Sequence, residues 1–276
     1  MIGWLIYSAV DVEKNKYYIQ MYKDKFKEHF IEIKLVIVEE LENMEQYVKC
    51  NKVDFAINRS RNHIMGELLE QKGVRVFNSS SVTRIANNKG ITYEFLKDVV
   101  PFLAVKYGNE IIESKIENKG FEYPYVIKSC SGHGGSQVFL VNNRKEEEQA
   151  VKAMNGQEYV VQQCCSDLGR DVRVYIIGNK IIKAVLRTST ESFKSNYSLG
   201  GKVQEYTLNN EEKAMVERIV DKLPLDYAGI DFTFHNGKAV FNEIEDAVGA
   251  RMLYQVSDID IVEMYIKHIL EQLSKE

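Results

Sequence analysis

The sequence predicts a mixed chain: a small doubly wound parallel α/β sheet first, then an antiparallel α+β region. Three observations carry that expectation. Through residue 77, short apolar runs alternate with amphipathic stretches, the pattern of consecutive βα units. The polar run Asn78-Ser79-Ser80-Ser81 then interrupts the alternation. Beyond Pro101, strand-like segments follow one another across short turns, as they do in antiparallel sheets.

Taken in order, Trp4–Ala9 reads as a strand and Lys14–His29 as a helix with Tyr18, Met21, Tyr22 and Phe26 on one side. Ile31–Val38 is a second strand, followed by a polar helical stretch and a third strand, Val53–Asn58. His63–Lys72 is helical, and Val74–Phe77 is a short fourth strand. The boundary falls near residue 84, giving an N-terminal region 1–84 and a larger region 85–276. Ile85–Val99 reads as a helix ended by Pro101. Tyr125–Lys128, Gln137–Val141, Tyr159–Gln163, Val172–Ile177 and Lys180–Thr188 are strands, the last two joined at Gly178-Asn179. Helices near Lys145–Met154 and Asn210–Leu223 punctuate them. Ser257 or Asp258 caps a final helix whose Ile259, Val262, Ile266, Ile269 and Leu273 form an apolar stripe suited to core packing.

Composition excludes several classes. A length of 276 residues with 45% hydrophobic and 28% charged side chains is that of a globular chain with a substantial core. A net charge of −4 argues against a general nucleic-acid binder. No apolar run approaches a membrane span, and the short Met1–Tyr7 lacks a basic leader, so it reads as a strand rather than a signal peptide. Cys50, Cys130, Cys164 and Cys165 form no C-x-x-C pair, which points to a reduced cytoplasmic setting. The five histidines lack metal-ligand spacing, so zinc is not expected.

The C-terminal hairpin carries the strongest chemical signal. Strand residues of Gly229–Phe234 and Lys238–Glu245 are interrupted by Asp231, Glu243 and Glu245. Carboxylates on a buried strand need a counter-charge or a cation, and all-oxygen ligation suits Mg²⁺ or Mn²⁺. A three-residue loop, His235-Asn236-Gly237, would pair Phe234 with Lys238 and place the three carboxylates on one face. A two-residue Asn236-Gly237 turn would put Asn242 on the Asp231 face instead. The competing reading is a solvated ribbon with its charges in water. Gly249 and Arg251 follow, and they form a candidate anion grip.

Phosphate signals lie upstream. Lys128 precedes Ser129-Cys130-Ser131-Gly132-His133-Gly134-Gly135-Ser136, whose glycines would expose backbone N–H groups to a phosphate. The loop joins two strands and lacks the Lys-Ser/Thr of a Walker motif. Phe193-Lys194-Ser195-Asn196 with Gly200-Gly201-Lys202 is a second candidate grip, although its lysines equally suit a solvated surface. Arg187 at a strand end, and Arg173 alternating with Asp171, are placed to face a cleft. The plain alternative for Asp171 and Arg173 is a cross-strand ion pair of little worth.

In this order the segments resemble the ATP-grasp superfamily, in its RimK-like amino-acid ligase branch, over roughly residues 85 to 250. The resemblance implies an ATP-grasp fold preceded by a small parallel-sheet domain. It also implies a nucleotide flap over about 115–165 and a metal-binding lobe over about 166–276. Lys89 and Lys128 with Gly132, Gly134, Gly135 and Ser136 would meet the phosphates. The hinge strand ending in Gln162, Gln163, Cys164 and Cys165 would hold adenine, with Gln163 and Cys164 at the base-contacting positions, and Asp171 would meet the nucleoside. Lys194, Ser195 and Asn196 match an Arg-Ser-Asn stretch, and Asp231, Glu243 and Glu245 fall at the metal positions. Glu245 stands where asparagine is usual, Gln163 where glutamate is common, and Asp246-Ala247-Val248-Gly249 replaces a stretch ending in Pro-Gly.

The resemblance implies a ligase that uses ATP and Mg²⁺ (or Mn²⁺) to join a small carboxylate to an amine, an amino acid or peptide among them. Arg187 and Arg251 would hold the carboxylate. Arg59 and Arg61, after the third strand, are either ordinary surface arginines or contacts to the acceptor. A small-molecule kinase on the same fold and a non-catalytic nucleotide-binding regulator are the rival readings. Assembly into a homo-oligomer is left open.

Overall fold

The computed structural model describes residues 1–108, 121–135, 137–190 and 201–275, organised by three sheets. The first is parallel, in the order β2-β1-β3-β4, and is built from β1 (Ile2–Tyr7), β2 (Glu32–Ile37), β3 (Phe55–Asn58) and β4 (Arg75–Phe77). Its central strands are buried and almost wholly apolar because both faces are covered. Leu5, Tyr7, Phe55 and Phe77 pack on one face with Ile19, Tyr22 and Phe26 of helix Lys16–Glu28. Trp4, Ile6, Ala56 and Val76 pack on the other with Met65 and Leu69 of helix His63–Gln71.

The second sheet is antiparallel, in the order β5-β8-β6-β7, from β5 (Val105–Tyr107), β6 (Tyr125–Ser129), β7 (Val138–Val141) and β8 (Tyr159–Gln163). Helix Arg144–Met154 closes one face through Ala150 and Met154. The third sheet holds β9 (Arg170–Ile177), β10 (Lys180–Thr188), β11 (Lys202–Tyr206), β12 (Tyr227–His235) and β13 (Lys238–Glu245), in the order β11-β10-β9-β12-β13. Its central strands β9 and β12 alternate with period 2. Val172, Val174, Ile176, Ile230 and Phe232 share a core with helix Asn210–Lys222, which a reciprocal Asn209–Glu212 capping box starts. On the opposite face Tyr175, Ile177 and Tyr227 join the core of the parallel sheet. Asp171, Arg173, Asp231 and Thr233 share that second face by the same alternation.

Several expectations change in detail. The predicted helix Ile85–Val99 is two helices, Ser80–Ala86 and Lys89–Leu96, broken at Asn87-Asn88, where the Asn88 side chain accepts from the Ile91 N–H and starts the second. Asp260, rather than Ser257 or Asp258, caps the final helix Ile261–Leu273. Asn78, within the expected boundary, is 2% exposed. Its amide accepts from the Asp226 and Tyr227 N–H groups at 2.7 and 3.0 Å and donates to the Tyr227 carbonyl at 2.7 Å. It therefore stitches the end of β4 to the start of β12.

Candidate active site between two antiparallel sheets

The β12–β13 hairpin sets the site. It turns through two residues, with His235 opposite Lys238 and left-handed φ values of 51° at Asn236 and 75° at Gly237. The three-residue loop is thus corrected. A plain two-residue register would have moved Asn242 onto the Asp231 face. Instead, Phe232 faces Phe241 and Asp231 faces Glu243, so Asn242 is the extra residue of a β-bulge. The bulge switches the alternation: Ala239, Phe241 and Ile244 all enter one core, while Glu243 and Glu245 fall on the opposite, charged face.

Across that face, ladder partners become ion pairs. Asp231 lies opposite Arg173, and Asp171 opposite Arg187. Arg173 donates to both Asp231 oxygens at 2.8 and 2.7 Å, and Arg187 adds a bond to Asp231 Oδ2 at 2.6 Å. Arg187 is also bidentate on Asp171, and Arg173 reaches Glu245 at 2.6 Å. Gly229 makes room for this lattice, because a Cβ there would come within 3.2 Å of the Arg173 Cδ. Burial pushes the Asp231 carboxyl up, but Arg173 and Arg187 outweigh it and bring its pKa to about 2. Both arginines are held above their ordinary value by these carboxylates against the opposing effect of burial.

The expected metal positions carry ion pairs in this structure. Asp231 is fully buried and its oxygens are taken by two guanidinium groups. Among the described residues no group of three or more His, Cys, Asp or Glu side chains is disposed to hold a metal ion. Glu243 and Glu245, both about a third exposed or less, border the cavities and are the carboxylates a cation could reach. The cross-strand pairs are likewise more than the minor surface contacts weighed for Asp171 and Arg173, since Asp171, Arg173, Arg187 and Asp231 are each less than a tenth exposed.

Two cavities meet beside this lattice. The narrower, about 120 Å³, lies between the two antiparallel sheets. Leu103, Val126, Val138 and Leu168 give it apolar walls, and Lys128, Gln163, Cys165 and Asp171 add polar groups. The wider, about 390 Å³, opens toward the parallel sheet and is bordered by Asp11, Lys14, Arg61, Tyr18, Arg251 and Glu245, among others. Lys89, Gly132, Gly134, Arg187 and Glu243 line both.

Lys128 is 9% exposed and donates to Asn242 Oδ1 at 2.8 Å, so the bulge residue supplies its partner. Burial lowers its pKa to about 8, with Glu243 opposing. Among the described residues it has no salt bridge. Lys89 starts its helix with its N–H on the Cys130 carbonyl, at 2.9 Å, and its ammonium on the Gly132 carbonyl, at 2.7 Å. Its ammonium also lies 3.6 Å from Glu243. Gly134 and Gly135 take left-handed φ values of 61° and 76°, which the loop's course demands of glycine.

The remaining candidates divide. Gln162, 2% exposed and donating to the Tyr93 hydroxyl at 3.1 Å, lines the narrower cavity together with the exposed Gln163. Cys164 is half-buried beside Cys165. Arg251 borders the wider cavity at the start of helix Arg251–Val256. Ser136, Lys194, Ser195, Asn196 and Gly200 lie outside the described residues. Arg59 is neither a surface arginine nor an acceptor contact: it is 4% exposed, bonded to the Tyr7 hydroxyl and the Val248 carbonyl, and ringed by Tyr7, Tyr18 and Tyr227. Arg61 reaches the wider cavity, with a left-handed φ of 62° and an ion pair to Asp11.

Sequence reasoning missed His133, Asn242, Asp11 and Lys14 as site residues. His133 borders the wider cavity, and burial followed by Arg61 and Lys89 lowers its pKa to about 4, leaving a neutral imidazole. Its place between glycines of a phosphate-like loop was the available signal.

Comparison with known proteins agrees with this architecture. Residues 94–269 match the model of the RimK-like ATP-grasp domain. The chain is 32% identical over 269 residues to uncharacterized protein MG011 of Mycoplasma genitalium, covering 96% of this chain and 91% of that protein. It is 24% identical over 206 residues to a probable alpha-L-glutamate ligase of Haemophilus ducreyi, covering 72% and 67% of the two chains. D-alanine–D-alanine ligase from Bacillus anthracis, solved in complex with ATP, superposes with a TM-score of 0.78 at 16% identity, over 100% of this chain and 98% of that one. The chain belongs to the RimK-like ATP-grasp family and has the ATP-grasp fold.

Proposed function

We propose that the protein is an ATP-dependent ligase that joins a carboxylate to an amine through an acyl phosphate. The observation that carries this reading is the junction of the two cavities at Lys89, Gly132, Gly134, Arg187 and Glu243. A nucleotide in the narrower cavity would have its base against Leu103, Val126 and Leu168 and its phosphates at Lys89, Lys128 and the glycine loop. The carboxylate and amine would enter through the wider cavity. On this reading residues 1–84 are the preceding domain and 85–276 the ligase domain.

The reaction would run in two steps. A carboxylate oxygen attacks the γ-phosphorus of ATP and ADP leaves; the amine then attacks the acyl carbon, expelling phosphate and releasing a proton. Arg251 borders the wider cavity and is suited to orient the carboxylate. Arg187 lines both cavities and is bound to Asp171 and Asp231 through Nε and Nη2; its guanidinium would face the reacting group. Lys128 and Lys89 would balance phosphoryl charge. Mg²⁺ is commonly held by one or two carboxylates together with nucleotide phosphates; Glu243 and Glu245, which border the wider cavity, would hold it, with Asp231 behind them on the same sheet face. When bound, the ion would supply charge neutralisation to the phosphates.

Phosphate release from ATP and Mg²⁺ against a matrix of amino acids and small carboxylates, with mass spectrometry of each mixture, tests the reading. Release that requires two co-substrates, with a product lighter than their sum by one water, is the expected result. A phosphorylated hydroxyl compound as sole product would make the protein a kinase. ATP binding without turnover across the matrix would favour a regulator.

A further inference from the structure

Tyr93, on helix Lys89–Leu96, bonds to both walls of the narrower cavity without lining it. It is 3% exposed, and its ring packs with centroids 5.0 Å from Phe102 and 6.2 Å from Phe241. Its hydroxyl donates to the Asn242 carbonyl at 2.8 Å and accepts from Gln162 Nε2 at 3.1 Å. The direction of both bonds is forced. A phenol has one proton and a carbonyl oxygen can only accept, so the proton goes to Asn242. Toward Gln162 there remains a lone pair, which only the amide nitrogen can bond. Burial, followed by Glu243, raises the Tyr93 pKa and keeps that proton in place. The Gln162 amide is therefore held in one of its two orientations, with Oε1 left over. Among the described residues that oxygen has no hydrogen-bond partner, and it is not sealed in the core. Gln162 lines the narrower cavity and is otherwise buried, so the opening left to Oε1 is the cavity.

We infer that Tyr93 is a positioning residue that makes the narrower cavity selective for an amino-bearing nucleobase, by fixing Gln162 Oε1 as an acceptor there. The inference rests on the assignment of that cavity to the nucleotide. Adenine offers an amino donor at its six-position, where guanine and hypoxanthine offer an oxygen acceptor. A fixed acceptor bonds the first and opposes the lone pairs of the second, which is then buried without a partner. Without the Tyr93 hydroxyl, a half-turn of the Gln162 amide would bring Nε2 to the cavity and make the same side chain a donor. That donor suits the oxygen of hypoxanthine. Gln162 thus supplies the contact, and Tyr93 decides its sense. The same anchor reaches the other end of the nucleotide. Asn242, whose backbone carbonyl holds Tyr93, holds Lys128 through its side chain at 2.8 Å. One bulge residue therefore registers both the acceptor for the base and the lysine for the phosphates.

The test measures ATP and inosine triphosphate affinity by calorimetry for the full chain, Tyr93→Phe, Gln162→Leu and the double variant. Tyr93→Phe keeps the ring and its packing and removes only the hydroxyl. The two nucleotides share ribose and phosphates, so a disturbance at Lys128 cancels in their affinity ratio, which reports the base alone. The native protein should bind ATP about 100-fold more tightly than inosine triphosphate, and Tyr93→Phe should shrink that ratio about ten-fold or more. Gln162→Leu should shrink it likewise, and adding Tyr93→Phe to Gln162→Leu should then change it less than about two-fold. If Tyr93 only packs the core, its loss lowers both affinities together and leaves the ratio unchanged; that result would overturn the inference. A further fall of the ratio in the Gln162→Leu background would also overturn it, because the effect would not run through the amide. Native protein that binds both nucleotides equally well would overturn the inference alone. Native protein that binds neither would overturn it through failure of the ligase reading, a failure visible before any substitution is made.

Discussion

The two walls of the cleft treat charge in opposite ways. On the five-stranded sheet, Arg173, Arg187, Asp171 and Asp231 neutralise one another across adjacent strands. On the four-stranded sheet, Lys128 is also buried, yet among the described residues its hydrogen bond goes to the neutral amide of Asn242 and it makes no salt bridge. A buried ion lattice with every oxygen engaged is held by its own geometry, whereas a buried cation without a carboxylate partner awaits an anion. The first wall supplies shape and the second supplies affinity. Loss of a charge should therefore have opposite consequences on the two sides.

The largest expected effect is on the first wall. Asp231→Ala leaves two guanidinium groups buried without their carboxylate and should cost about 3–5 kcal/mol in urea unfolding. A loss below about 1 kcal/mol would show that the lattice is dispensable. Acid should break the same wall more gently. The Asp231 pKa falls from 3.8 to about 2 on folding, so its contribution is complete above the unfolded value and disappears as pH drops from about 4 to 2. That is about 2 kcal/mol, read as the difference in acid sensitivity between the protein and its Asp231→Asn variant.

On the second wall the sign reverses. Lys128→Met should leave folding stability intact or raised, because it removes a desolvated charge, while ATP affinity falls about 10- to 100-fold. Undiminished affinity in calorimetry would remove Lys128 from the phosphate site. The same residue gives a pH signature. With its pKa lowered to about 8, the ammonium loses its proton as pH rises through that value, so ATP affinity should decline above pH 8 in the native protein and not in Lys128→Met. The smallest effect lies at the hairpin tip. Gly237→Ala meets no atom within 4 Å but must hold a φ of 75°, a cost of about 1 kcal/mol in thermal unfolding.

The contrast also marks what could be read from sequence. Strand periodicity placed β8 and β10 at Tyr159–Gln163 and Lys180–Thr188, the residues the structure gives them. The ion lattice was not legible, because Arg173 and Asp231 stand 58 residues apart and only strand order makes them neighbours. The bulge was legible in part: the core phase slips between Phe241 and Ile244, a shift that two-fold alternation forbids without an inserted residue. Strands β5 and β11 escaped the reading because they are partly exposed edge strands with few buried apolar residues to mark them. Arg59 defeats composition altogether, since only the fold brings its tyrosine ring together.

Isotope transfer tests the ligase account most directly. The carboxylate identified by product screening would be prepared with heavy oxygen in both positions and turned over with ATP and the amine. One labelled oxygen in each phosphate released, with the other retained in the amide, is the result the account predicts. Phosphate without label, or label retained whole in the carboxylate while a hydroxyl becomes phosphorylated, would contradict it.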